Sequence, residues 1–267
     1  MDEPVCLLRV ATSGWVLIVA LAALTWLASL VQRDVSLVDR MWSIYIAGAA
    51  VVYAAVLDAH GARSYWMLGL VLAWAGRLSV FITWRNWGHG EDRRYQVIRA
   101  RNQPNFALKS VYLIFGLQSV LAWVVSSPFL AGLAGRAAFG WLDVVGIALT
   151  AFGIAFEAIG DAQMSRFRAD PANQGRVMNT GVWRYSRHPN YFGETCVWWG
   201  LWLIALSAGG VGAAWSIVAP VLMTFLLLKV SGVSLLEKDI TERRPEYREY
   251  VAHTNAFVPG PPRRSAP

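Results

Sequence analysis

Residues 14–31 read GWVLIVALAALTWLASLV, a run without a single charged side chain. As an α-helix it would reach about 27 Å at 1.5 Å per residue, close to the ~30 Å hydrocarbon core of a bilayer. The residues ahead of it, Met1-Asp2-Glu3-Pro4, are acidic rather than basic, so the run reads as a retained membrane helix and not as a cleaved signal. The same pattern recurs along the chain, at roughly 37–57, 65–84, 106–126, 141–160, 191–208 and 211–230. Only Ser207-Ala-Gly-Gly-Val211 separates the last two runs, which predicts a tight helical hairpin. Hydrophobic residues make up 56% of the chain and charged residues 15%, against about 25% in globular chains. The expected fold is therefore all-α, a polytopic membrane helix bundle of about seven transmembrane helices. It forms a single membrane-embedded domain over 1–267, with a disordered Pro/Arg tail at 261–267.

Basic residues sort between the two ends of such a bundle. Arg33, the segments Arg85 to Arg101 and Arg166 to Arg187, and the stretch from Lys238 to Arg264 fall on one side, while the other holds Arg9, Arg63 and Arg136. The positive-inside rule then puts the amino terminus outside and the carboxyl terminus in the cytosol, with the net charge of +7 gathered on the cytosolic face. Nucleic acid is excluded as a partner, because no soluble module presents a groove-reading element. Cys6 and Cys196 offer neither a disulfide nor a CxxC pair, and His60, His89, His188 and His253 stand alone, so no metal site is expected. Nothing in the chain implies an obligate protein partner; the expected partners are the bilayer and a hydrophobic small molecule.

Three polar segments on the basic side carry candidate chemistry. In the first, spacings of four, four and three put Glu157, Asp161, Ser165 and Arg168 on one helical stripe, and carboxylates entering a membrane are costly unless they face protein or water. The second is Arg184-Tyr-Ser-Arg-His-Pro-Asn-Tyr-Phe-Gly-Glu194. Here Pro189 disfavours helix at His188 and suits the first position of the next helix, whose free N–H groups attract an anion. Arg184 and Arg187 strengthen that attraction, Asn190 can hydrogen-bond an amide or a ribose, and Glu194 lies one turn inside on the same face. The third places Lys229, Val233 and Glu237 at spacings of four near the end of the last span. Between the third and fourth runs, Trp84 to Tyr95 has the composition of a capped, charged helix; its Gly88 and Gly90 lack the strand and third glycine of a dinucleotide fingerprint. Asp39 and Arg77 are charges within the spans and are functional candidates on that ground.

The stretch Gly181 to Glu194, with Gly160-Asp161 before it and Leu236-Glu-Lys238, Pro245-Glu-Tyr-Arg-Glu-Tyr250 and Phe257-Val-Pro259 after it, resembles the steroid 5-alpha-reductase superfamily. It is similar to a branch of uncharacterised bacterial membrane proteins that share the reductase's carboxyl-terminal domain. Ser36-Leu-Val-Asp39-Arg-Met-Trp42 and Gly90-Glu-Asp-Arg-Arg-Tyr95 extend that likeness into the amino-terminal half. The resemblance implies a seven-helix fold, a bacterial inner-membrane location, a cytosolic NADPH pocket within 141–260, and hydride transfer to an activated C=C bond of a lipid or steroid-like substrate. Carried over by position, cofactor contacts fall on Glu157, Asp161, Arg168, Asn190, Lys229 and Glu237, and the Arg187-His188 pair looks like that of the sterol C14 and C24 reductases. With Arg184 and Arg187 also assigned to the cofactor, the proton or carbonyl polarisation is expected from Tyr185, Tyr191, Glu194 or Asp39. The reductases' Gln-Glu pair and Tyr have no counterpart here; the second span offers Trp42, Tyr45 and Tyr53, the third Trp74 and Arg77. The alternative is a membrane S-adenosylmethionine-dependent methyltransferase similar to isoprenylcysteine carboxyl methyltransferases, which share an Arg-His-Pro-x-Tyr stretch.

Overall fold

A computed structural model describes residues 3–230 and 246–263, and every described regular element is helical. Six helical segments are long and apolar enough to cross a bilayer: Leu7–Gln32, Leu37–Leu57, Ala62–Arg85, Phe106–Ala134, Trp141–Ala169 and Pro189–Val230. The chain is a multi-pass integral membrane protein.

The last segment accounts for the difference from seven runs. Its 42 residues would extend about 63 Å if straight, twice what a bilayer needs. Yet the Trp199 indole N–H donates to the Thr224 hydroxyl at 3.2 Å across 25 residues, so the chain must turn back. Helix α9, Pro189–Gly209, ends at Gly210, whose φ of +55° favours a residue without a Cβ. A 3₁₀ stretch, Gly210–Ile217, then leads into α10, Val218–Phe225. The hairpin expected at 207–211 is present. By contrast, the fourth run, made of α5 (Phe106–Ser110), a π-helical stretch (Val111–Gly116), α6 (Leu117–Val125) and α7 (Ser127–Ala134), passes its expected end at 126. Ser126-Ser127-Pro128 looks like a stop, but proline is tolerated in a first helical turn, and a new helical turn begins at Ser127.

The structure separates into two compact units, Met1–Val144 with Trp202–Ala219, and Val145–Leu201 with Pro220–Pro267. In the first, α1 (Glu3–Gln32), α2 (Leu37–Leu57) and α3 (Ala62–Arg85) pack in sequence order. Buried tyrosines and partly exposed tryptophans find polar partners there, as hydrocarbon surroundings demand. Tyr45 donates to Thr25 at 2.7 Å, Tyr53 pairs with Ser126 at 2.9 Å, and the Trp42 and Trp123 indoles donate to the carbonyls of Gln118 and Ala11. On α3 the exposed Trp66 and Trp84 lie about 27 Å apart at 1.5 Å per residue, the spacing of the two aromatic belts of a bilayer.

At the Trp66 end of α3 an ion pair ties the unit together. The Arg63 guanidinium donates to both oxygens of Asp143 at 2.7 and 2.9 Å and to the carbonyls of Ala137 and Ala138. Asp143, fully buried near the start of α8 (Trp141–Ala169), also accepts from the Ser207 hydroxyl and the Gly140 N–H. One carboxylate thus joins α3, α8, α9 and the loop after α7, Ser127–Ala134.

Candidate functional site

The second unit is organised by the close crossing of α8 and α9. A Cβ at Gly153 would lie 2.5 Å from the Gly193 carbonyl oxygen, and one at Gly193 would lie 2.7 Å from the Glu157 nitrogen. The backbones touch, as small residues permit between membrane helices. That contact sets the buried stripe of α8, Glu157 and Asp161, against the first turns of α9.

The chain ahead of α9 is fastened to the same stripe. Gly181, at φ +59°, opens a 3₁₀ turn, Gly181–Arg184; the Val182 N–H donates to Gln163 and the Trp183 indole to the Gly160 carbonyl. The Ser186 hydroxyl accepts from the His188 N–H at 3.1 Å. Helix α9 then starts at Pro189, as the sequence predicts, and its first-turn N–H groups lack intrahelical acceptors. The Asn190 amide donates to Asp161 Oδ1 at 3.3 Å, and Glu194 accepts from the Trp198 indole at 2.9 Å. Glu157, Asp161 and Glu194 are 5%, 7% and 5% exposed, so three acidic side chains are held inside this unit. His188 is buried with its ring stacked on Tyr191, centroids 5.5 Å apart and planes within 3°.

The carboxyl-terminal segment laces onto the same motif. Helix α11, Tyr247–His253, sends the Tyr250 hydroxyl to the Trp183 carbonyl. The Arg187 N–H donates to Asn255, and its guanidinium to the carbonyls of Thr254 at 2.7 Å and Val251 at 3.4 Å. Ser186 donates to Phe257 and the Gly260 N–H to Tyr185. Arg187 therefore holds the carbonyl end of α11, where a cation is favoured by the helix dipole.

Arg184, Tyr185 and Arg168 are exposed, and so is Lys229 on a π-turn, Leu226–Val230. Val233 and Glu237 lie outside the described residues. Asp39 belongs to the first unit, where the Tyr95 hydroxyl donates to it at 2.6 Å and Arg94 at 2.9 Å. Tyr95 escaped the sequence reading as a side chain of interest, although both motifs that meet here, Ser36 to Trp42 and Gly90 to Tyr95, stand out in the chain. Asp92 caps α4, Arg93–Arg101, by accepting from the Arg94 N–H, and Glu91 accepts from the Val35 N–H and, bidentately, from Arg99.

Burial, the Asp39 charge and the hydrogen bond to Asp39 push the Tyr95 hydroxyl well above its ordinary value. Burial alone would raise Glu91, but the Arg99 hydrogen bonds, the Val35 N–H and the Arg99 charge outweigh it and hold the carboxyl below its ordinary value. On Asp92 burial is outweighed in the same way by the Arg94 side chain, its N–H and the charges of Arg94 and Arg85. Acid groups held low in the folded chain give stability that is present above their unfolded values and is lost as pH falls through the folded ones. Amide exchange at Val35 and Arg94, corrected for intrinsic rate, should accelerate as pH drops from neutral to below about 4, the ordinary carboxyl range. Glu91→Gln should remove the pH dependence at Val35 and leave it at Arg94.

The profile of DUF1295, a family described as proteins of unknown function, matches residues 25–254. The chain belongs to that family. It is a steroid 5-alpha-reductase-like family, which accords with an enzyme built on membrane helices. An uncharacterised protein of Schizosaccharomyces pombe, C594.04c, is 27% identical over 278 aligned positions, covering 92% of this chain and 78% of the relative. No solved structure matches the chain. The DUF1295 match takes in α8, the 184–194 motif, α9 and α11, together with the Asp39–Tyr95 cluster.

Proposed function

We propose that this DUF1295 protein is an NADPH-dependent membrane reductase of an activated C=C bond in a lipid or steroid-like substrate, with its cofactor site in the second unit facing the cytosol. The observation that carries the proposal is Asn190, which lies in the first turn of α9 with its amide oriented by the buried Asp161. The residues present fit such a cofactor. Asn190 offers an amide to a carboxamide or ribose, Glu157 and Glu194 are acceptors for ribose hydroxyls, and Arg184, Arg168 and Lys229 supply exposed positive charge for phosphates beside a helix start.

Bound there, NADPH would supply the hydride. The chain's own residues bind, orient and protonate. Asp161 fixes the Asn190 amide, the α8–α9 crossing keeps the carboxylates inside and excludes water, and Arg187 holds the α11 segment against the motif. Tyr191, half-buried and stacked on His188, is assigned the proton for the α carbon, with Tyr185 as the exposed alternative. Asp39 and Tyr95 are assigned no step.

The proposal is tested by heating the detergent-solubilised protein with NADPH, NADH or S-adenosylmethionine. NADPH at a hundred-fold excess over Kd should stabilise the native state by about 2.7 kcal/mol, and Asn190→Ala should lose most of that gain, measured against the variant's own ligand-free Tm. Stabilisation by S-adenosylmethionine with none by NADPH would replace the reductase with a methyltransferase.

A further inference from the structure

The arginines of residues 85–101 form one basic block in the sequence but two populations in the structure. Arg94 and Arg99 are tied inward, to Asp39 and Asp92 and to Glu91 respectively. Arg93 and Arg101 point away from these ties; both are exposed, and neither pairs with a carboxylate among the described residues. Spacings of four along α4 put Arg93, Val97 and Arg101 on one face, with Gln96 and Ala100 beside them, and all five are exposed. The opposite face carries the buried Tyr95.

The position of this face says what it meets. α4 connects two successive spans, Ala62–Arg85 and Phe106–Ala134, so it lies at one surface of the membrane. Trp84 and Trp87, 64% and 74% exposed at the adjoining end of α3, mark the headgroup level, and Val97 supplies an apolar contact between the two arginines. Arg85, exposed and hydrogen-bonded to Asn86, adds a third cation at the same level. Because Tyr95, Arg94 and Arg99 pin the inner face, the outer face is held at a fixed depth.

We propose that the Arg93–Val97–Arg101 face of α4, with Trp84 and Trp87, docks acidic phospholipid headgroups of the bilayer surface. Positive charge complements the phosphate and the acidic headgroup, and the tryptophans and Val97 lie among the upper acyl chains. An arginine near an acidic membrane surface strengthens partitioning roughly five-fold.

Native mass spectrometry of the full chain, released from micelles containing equal phosphatidylglycerol and phosphatidylcholine, tests this. The wild type should retain phosphatidylglycerol preferentially, and Arg93→Gln with Arg101→Gln should cut that preference by roughly twenty-fold. Arg136→Gln, exposed in the loop at the other membrane face, should leave it unchanged. Equal retention of both lipids by the wild type would overturn the proposal, without any variant being needed. Displacement of phosphatidylglycerol by soluble glycerol phosphate would also overturn it, making the face a site for a free anion. A double variant that keeps the full preference would move the lipid site elsewhere.

Discussion

Asp143→Ala should destabilise the first unit by about 3–5 kcal/mol, the cost of leaving a buried charge without its partner. The Arg63 side chain is 11% exposed and that of Asp143 is fully buried, so water cannot replace the lost carboxylate. The Ser207 hydroxyl and the Gly140 N–H lose their acceptor in the same substitution. Denaturant titration in mixed micelles would measure the loss. Replacing both members, Arg63→Leu with Asp143→Leu, should recover a large part of it, because a buried pair exchanged for apolar side chains is often close to neutral. If Asp143→Ala unfolds at the same denaturant concentration as the wild type, the junction of α3, α8 and α9 is held by something else.

Gly193→Ala should cost about 1–3 kcal/mol and also disable the proposed cofactor site. Its Cβ would lie 2.7 Å from both the Glu157 nitrogen and the Gly153 carbonyl, and neither backbone atom can yield as a flexible side chain would. The helices must part, which withdraws Glu157 and Asp161 from Asn190 and Glu194. The comparison is Gly69→Ala on α3, where a Cβ meets nothing within 4 Å. There the substitution should be neutral or stabilise by roughly 0.4–1 kcal/mol, since alanine restricts the unfolded chain. Equal stability of the two variants, with the NADPH response intact in both, would remove the close crossing from the account.

The spans were legible because a bilayer imposes one requirement everywhere: a long apolar helix with its backbone groups satisfied internally. The start of α9 was legible for a local reason, since Pro189 both ends the preceding turn and suits a first helical position. The continuation to Ala134 was hidden by the Ser-Ser-Pro sequence, where the Ser126 hydroxyl donates to the Trp123 carbonyl and pairs with Tyr53 instead of ending the helix. The pairing of Asp39 with Tyr95 spans 56 residues and has no local signature. Arg187 shows a different limit. Its charge and neighbours mark it for an anion, but the carbonyls of Val251 and Thr254, brought by a segment more than 60 residues away, take its guanidinium. Charge reports what a side chain can bind, and only the fold says which acceptor is within reach.

The proposed transfer of a hydride from a nicotinamide onto a lipid carbon can be followed by isotope labelling, whichever lipid is the substrate. The protein, in an extract of its own membrane lipids, is given NADPH deuterated at the transferring carbon together with methyl-labelled S-adenosylmethionine. One lipid class should gain one deuterium and one solvent proton across a former double bond, Asn190→Ala should abolish the gain, and no lipid should gain the labelled methyl. A labelled methyl group on a lipid, with no deuterium on any, would contradict the proposed transfer.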